Sequence, residues 1–348
     1  MEGVRFSKIS INNDDRQNPS FSVSSLHNLT FISQNVNSFN LSTHDQSYLT
    51  CNKFLAKIND ILQNKPNIVL LQDLRLNSKS DLLERELKCN QFGNYACFLN
   101  SQMNCRGTGI LLNGNLDYKI FNVHKSQCNN IILLDLAINN FRLTLGSCYG
   151  PPQNGNNNFF PSIFEYITNI GNPHFIIGGD LNSVTCTSST NNLDIFNMTT
   201  IPNPIHSRHL NQLITNGIIV DVFRILNPNL KDFSYVPFAA QKINRSRIDL
   251  ILASSNLLQI FDEMTYKANK IKIFDHKSAI VKTKSNIKRI PSVNNSLLNL
   301  PGLFECIQYE IYALILDHFA LDNALNLKNS LISINNLSRE ATYPIQIF

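Results

Sequence analysis

The run Phe175-Ile176-Ile177-Gly178-Gly179-Asp180-Leu181-Asn182 constrains this chain more than any other stretch. Its apolar half has the length of one buried strand, and alternation puts Asp180 and Asn182 on the same side of the extended backbone as it leaves the sheet. A strand that ends this way aims an acid and an amide at one object. The two glycines withdraw side chains where something bulky, such as a phosphodiester, comes close. Alone, the run reads as readily as a Gly-Gly-Asp turn after a core strand. Its weight depends on how many other apolar strands in the chain end alike.

Upstream, Leu29 to Asn37 reads as a strand closing in amides, and about Ser47 to Leu62 as a helix with Leu49, Phe54, Leu55, Ile58, Ile61 and Leu62 on one face. Pro66 stops that helix, and Ile68-Val69-Leu70-Leu71-Gln72-Asp73 is a second buried strand with an acid at its end. Strand, helix, strand is the crossover unit of an α/β protein. Strands at Tyr95 to Leu99, Gly109 to Leu112, Asn130 to Ala137 and Phe141 to Tyr149 then follow in hairpin-like succession. That succession breaks the rhythm of a doubly wound sheet and predicts mixed sheets. Helices are expected at Phe159 to Ile170 and at Ser207 to Thr215, the latter capped by Asn216-Gly217. Strands are expected around Ile219 to Val222, Asp232 to Val236, Arg247 to Ala253 and Ile280 to Thr283.

The flanks differ. Residues 1–27 are polar and aperiodic, which predicts a flexible N-terminal extension, and residues 285–348 carry helical spacing without strand candidates, which predicts a helical tail or linker. The eight cysteines include no C-x-x-C pair, so they form neither a zinc pattern nor a small disulfide framework and read as reduced core residues. No apolar run is long enough to span a bilayer and the start carries no leader pattern, so the expectation is an intracellular protein without a membrane. The net charge of +5 is mild, but Lys267, Lys270, Lys272, Lys277, Lys282, Lys284, Lys288 and Arg289 cluster around the lone acid Asp275. Such a run is either a solvated face or a rim that meets phosphates.

The polar residues that close or follow the apolar strands are Asn35, Asp73, Tyr149, Asp180 with Asn182, Asp249, and Asp275 with His276. Singly, each is a turn, a cap or a packed aromatic. Together they suit metal-assisted cleavage of a phosphodiester. Carboxylates hold a hard cation such as Mg²⁺, which takes oxygens at about 2.0–2.1 Å, and a carboxylate-oriented histidine handles charge and a proton near neutral pH.

In order and interval, the segments QNVNSF, LLQDLRL, CYGPPQ, GGDLN, SRIDLIL and FDHKSAI resemble the endonuclease/exonuclease/phosphatase family, the DNase I-like fold, over residues 29 to 284. The run from Gly217 to Pro228, with Phe233-Ser234-Tyr235 and Ser246-Arg247-Ile248-Asp249, resembles the apurinic-type endonuclease domain of LINE-type (non-LTR) retrotransposon proteins. The resemblance implies an α/β fold of the mixed α+β kind: a four-layered sandwich of two packed mixed β-sheets flanked by helices over residues 28–284, here followed by the helical C-terminal appendage. It also implies an enzyme that needs Mg²⁺, with Mn²⁺ as the alternative ion, and that nicks DNA to leave a 3′-hydroxyl primer.

Carried over by position, the resemblance assigns Asn35, Asp73 and Asp275 to the metal. Asp180 activates water and Asn182 orients Asp180 and the phosphate. Tyr149 contacts the scissile phosphate or the leaving oxygen, His276 stabilises the transition-state charge, and Asp249 orients His276. Ser234, Arg247, Asn182 and Tyr149 are expected at the DNA, and Val236 to Ser246 is the hairpin that helps choose the target. Asp73 departs from the family's Glu and draws the carboxylate back by about 1.5 Å; Arg75, two residues on, reads as structural or as a phosphate contact. A reverse transcriptase in a longer parent chain is the expected partner besides DNA, with a nuclear location if the target is chromosomal. Two readings compete: a nucleic-acid-binding module that has lost catalysis through Asp73, and a phosphoesterase of the same fold acting on a lipid or small phosphate.

Overall fold

Two strand–helix–strand crossovers lay out the chain, one for each of two sheets. In the first, β2 (Thr30–Asn35) passes through α1 (Tyr48–Leu62) to a parallel neighbour, β3 (Ile68–Gln72). In the second, β8 (Phe141–Cys148) passes through α2 (Phe159–Ile170) to its parallel neighbour, β9 (Phe175–Asp180). The remaining pairings are antiparallel, so both sheets are mixed, as the hairpin-like spacing predicts. The structure, a computed structural model, describes residues 6–10, 23–39, 48–76, 83, 87, 91–101, 106–152, 158–185, 193–198, 200–237, 244–270 and 274–285. The helical tail expected at 285–348 lies outside the described residues, apart from residue 285.

Besides these elements there are β1 (Phe6–Ser10), β4 (Tyr95–Asn100), β5 (Thr108–Asn113), β6 (Tyr118–Ser126), β7 (Ile131–Ile138) and β10 (Ile195–Phe196). α3 (Pro204–Thr215), β11 (Val220–Asp221), α4 (Val222–Leu226), β12 (Arg245–Ser246), β13 (Asp249–Ala253), β14 (Phe261–Lys267) and β15 (Ser278–Thr283) follow. One sheet has the order β1-β6-β7-β8-β9-β13-β11 and the other β14-β15-β2-β3-β5-β4, with β10 and β12 as a separate pair.

Alternation along the strands makes the layers. Ile68 and Leu70 face the other sheet and join Phe31, Leu134, Leu145, Ile176 and Ile251 in the central core. Val69 and Leu71 face outward, against Ile58, Ile61 and Leu62 of α1. Ile177, Leu250 and Leu252 face outward from the second sheet, against Phe160, Ile163 and Ile167 of α2 and Leu210 of α3. Each fully buried side chain of this kind contributes roughly 1.5–3 kcal/mol. Helix, sheet, sheet, helix is the four-layered sandwich.

Several local expectations change. Phe6–Ser10, inside the presumed loose extension, pairs antiparallel with β6. α3 begins at Pro204, three residues before the expected Ser207, because proline's fixed φ suits the first helical turn. Asp232 to Val236 is no strand: Tyr235 alone makes bridges, to Ser246 and to His276. The Ile219 to Val222 strand shrinks to β11, since the Asp221 side chain accepts from Arg224 N and starts α4 there.

Candidate active site

The antiparallel register of β9 and β13 sets Asp180 directly opposite Asp249. The other sheet supplies Asn35 from the end of β2 and His276 from just before β15. The two sheets meet where Asn35 Nδ2 donates to Asp180 Oδ2 at 2.8 Å. A further buried chain links them behind the site, with Gln72 Nε2 donating to Ser147 Oγ at 3.1 Å and that hydroxyl donating to Leu71 O at 2.8 Å.

Gly178 and Gly179 make room for the protein itself, the first for Leu70 and Ser33 of the other sheet and the second for backbone, which corrects the expectation that they make room for a substrate. A Cβ on Gly179 would stand 1.7 Å from Cys148 O, and one on Gly150 would stand 2.0 Å from Leu181 O. The chain leaving β8 crosses against the chain leaving β9 and is tied there by Gly150 N donating to Asp180 O at 2.7 Å. Asn182 then takes a left-handed φ of 49°. Its backbone N–H, not its amide, donates to Asp180 Oδ1 at 3.0 Å, while the amide donates to Gly150 O at 2.9 Å.

His276 Nδ1 lies 2.7 Å from Asp249 Oδ2, and its Nε2 lies 3.8 Å from Asp180 Oδ2. Burial alone would discharge the imidazole, but Asp249, Asp180 and Asp275 raise its pKa to about 10. Asp180 moves up to about 7, through burial first, with His276 opposing and Asp249 reinforcing. Imidazolium and carboxylates thus share protons as one buried unit. Tyr149, half-buried beside them, has its phenol pushed up by burial and by the charges of Asp180 and Asp73, which keeps it a proton donor.

Of Asn35, Asp73 and Asp275, expected together at a metal, the first and last share Asn37 as a partner, and Asp73 is taken by Arg75. Asn35 Oδ1 accepts from Asn37 N at 2.8 Å, and Asp275 Oδ1 from Asn37 Nδ2 at 3.3 Å. Both oxygens of Asp73 are engaged by Arg75, through Nε at 2.9 Å and Nη2 at 2.8 Å. Among the described residues, one group of three or more metal-ligating side chains comes together: Asp180, Asp249 and His276, with ligand atoms within 4.8 Å of one another. Asp249 Oδ1 is buried there without a hydrogen-bond partner, the kind of open oxygen that suits a hard cation. The carboxylates of this group therefore fit a divalent ion.

Two residues expected at DNA are corrected. Arg247 is fully buried and held by Asp194 Oδ1 at 2.7 Å, Asp221 Oδ2 at 2.6 Å and Thr185 Oγ1 at 2.6 Å, which leaves it no face toward a ligand. Ser234 is also fully buried; its Oγ accepts from Ile248 N at 3.1 Å and Asp249 N at 3.0 Å and so fixes the start of β13. Both position the site instead of meeting a substrate. In the basic segment, Lys277 pairs with Asp232 at 2.6 Å and Lys282 with Glu263 at 2.8 Å, acids that come from outside it. Lys272, Lys288, Arg289 and the hairpin tip 238–243 lie outside the described residues.

Tyr235 and Asn37 are site residues that sequence reasoning passed over. The Tyr235 ring lies against His276 at 5.0 Å between centroids, and Asn37 links Asn35 to Asp275. Asn37 follows Asn35 by two positions, the spacing that singled out Asn182 after Asp180, and like Asn182 it lies just past its strand with a left-handed φ, here 43°.

No protein-family model matches the sequence, and no curated protein matches it. Solved structures do match. An AP endonuclease from Archaeoglobus fulgidus aligns at a TM-score of 0.54 and 15% identity, over 73% of this chain and 99% of that one. The AP endonuclease LMAP from Leishmania major aligns at 0.55 and 17%, over 80% and 93%. A 3′-5′ exonuclease, NExo, from Neisseria meningitidis aligns at 0.54 and 14%, over 74% and 100%. With two facing mixed sheets and helices on both outer faces, the chain has a DNase I-like fold.

Proposed function

We propose that this chain is a metal-assisted phosphodiester hydrolase that nicks DNA and leaves a 3′-hydroxyl end. The observation that carries the reading is the convergence of Asn35, Asp180 and Asp249 from three strands, and of His276 from just before a fourth, across two sheets. The names of the neighbours, two AP endonucleases and a 3′-5′ exonuclease, support DNA as the substrate. The retroelement assignment, with a reverse transcriptase in a longer parent chain and work in the nucleus, rests on the resemblance of the Gly217 to Asp249 run.

In this mechanism Asp180, ionised and held by Asn35 and the Asn182 N–H, accepts a proton from the attacking water. His276, kept charged by Asp249, faces the negative charge that grows on the phosphoryl oxygens. Tyr149, still protonated, donates toward the leaving oxygen. A bound Mg²⁺ or Mn²⁺, held by the carboxylates of Asp180 and Asp249, would supply further neutralisation of that charge.

The test is nicking of supercoiled plasmid with magnesium, with and without chelator. Wild type should open the circle only when metal is present, and Asp180→Asn and His276→Ala should each lower the rate by roughly 100-fold or more. An intact plasmid with wild type, or variants that match it, removes the reading. The Asp73–Arg75 pair favours a second reading, a nucleic-acid-binding module without catalysis. Under that reading Asp73→Glu creates cleavage where wild type has none.

A further inference from the structure

We propose that Arg75 is the resident cation of the Asp73 carboxylate, so that a divalent ion gains Asp73 as a ligand only by displacing the guanidinium. The inference rests on the metal-assisted reading and adds a control to it. The contact is two-pronged, with Nε and Nη2 each on a separate oxygen, the fork geometry that gives Arg its strongest pairing with a carboxylate. Backbone, not chance rotamers, creates it. Asp73 and Arg75 take left-handed φ values of 55° and 50°, which non-glycine residues hold only where the surroundings impose them. Those surroundings are Ser38 N on Asp73 O at 2.9 Å, Leu74 N on Gly107 O at 3.1 Å and Arg75 N on Arg106 O at 2.6 Å.

Asp73's side chain is 5% exposed while Arg75's is 44% exposed, so the guanidinium lies between the carboxylate and water. Arg247, by contrast, is fully enclosed. Asp73 follows directly on Gln72, the register partner of Asn35, whose amide donates to Asp180, which places the pair beside the reaction centre. One side of the site therefore carries its own neutralising charge, while the other, at Asp249 Oδ1, has an oxygen without a partner. Asp is also one methylene shorter than the Glu of the resembled family and offers an incoming ion less reach past the arginine.

The experiment measures metal binding by the full chain without DNA, with Mn²⁺ followed by electron paramagnetic resonance and Mg²⁺ by calorimetry. Wild type, Arg75→Gln, Arg75→Lys, Asp73→Asn and the Asp73→Asn/Arg75→Gln double variant are compared after circular dichroism confirms folding. Arg75→Gln and Arg75→Lys should both bind more tightly, by roughly tenfold, the scale on which partners of metal-ligating groups act. The gain should vanish in the double variant. Unchanged affinity in Arg75→Gln, a gain that survives without the Asp73 carboxylate, or an Arg75→Lys that behaves as wild type would each overturn the proposal. Plasmid nicking by wild type, run in parallel, tests the hydrolase reading separately.

Discussion

Between Asp180 and His276, burial and charge work against each other within 3.8 Å, and the outcome sets a pH window. Asp180 must be ionised to accept a proton, and its pKa stands near 7; His276 must stay charged, and its pKa stands near 10. In the metal-free protein the cluster should titrate through about pH 7 and again through about pH 10, both steps belonging to the cluster as a whole and read from the ring signals of His276 by NMR. Asp249 lifts both groups, so Asp249→Asn should move both steps toward acid, the alkaline one by about a unit or more, in that titration. The stability signs agree. Each raised group favours the fold below its ordinary pKa, and that contribution is lost as pH rises through about 7 for Asp180 and about 10 for His276.

The elements that carry these residues are held by the Arg247 network. Arg247 ties β13 to Asp194 beside β10 and to Asp221 at the start of α4, and Arg224 adds a second hold on Asp194 at 2.6 Å. Removing a fully buried partner leaves an unpaired charge, so Arg247→Met should cost about 3–5 kcal/mol in urea unfolding. Asp194 loses more to burial than to any single favourable partner, yet its two arginines together hold its pKa near 2, below the ordinary 3.8. Its contribution is present above pH 3.8 and lost as pH falls through about 2, so Arg247→Met should unfold at a higher pH than wild type in acid titration.

This network also marks what could and could not be read from residues alone. The crossover strands were legible because β3 and β9 are buried on both faces and read as unbroken apolar runs. β6 and β14 were not, because Tyr118–Ser126 and Phe261–Lys267 mix buried and exposed positions and show no continuous apolar run. The convergence of the strand-end acids was legible because each closes a recognisable run. That Arg247 faces inward was not, since its partners Asp194 and Asp221 lie 53 and 26 positions away in irregular or very short segments.

Across the whole molecule, the two sheets approach most tightly where side chains are missing. A Cβ on Gly178 would lie 2.5 Å from Leu70 Cδ1 and 3.3 Å from Ser33 Cβ, both in the opposite sheet. Leu70's side-chain end can give way, so Gly178→Ala should fold with a loss of about 1–3 kcal/mol in urea unfolding. By shifting Asp180 against Asn35 it should lower nicking more than that loss alone explains. Gly179→Ala meets the Cys148 carbonyl, which has no room to retreat, and should yield little soluble protein on expression. Equal behaviour of the two variants would remove this distinction between a yielding side chain and a rigid backbone.

The order of synthesis gives the β15–β2 pairing a biological meaning. β15, reached only after residue 277, docks on β2, near the beginning, and brings His276 with it. Under the proposed mechanism, polypeptides stalled on the ribosome or cut short upstream of that point lack the imidazole, and their nicking should fall as it does in His276→Ala.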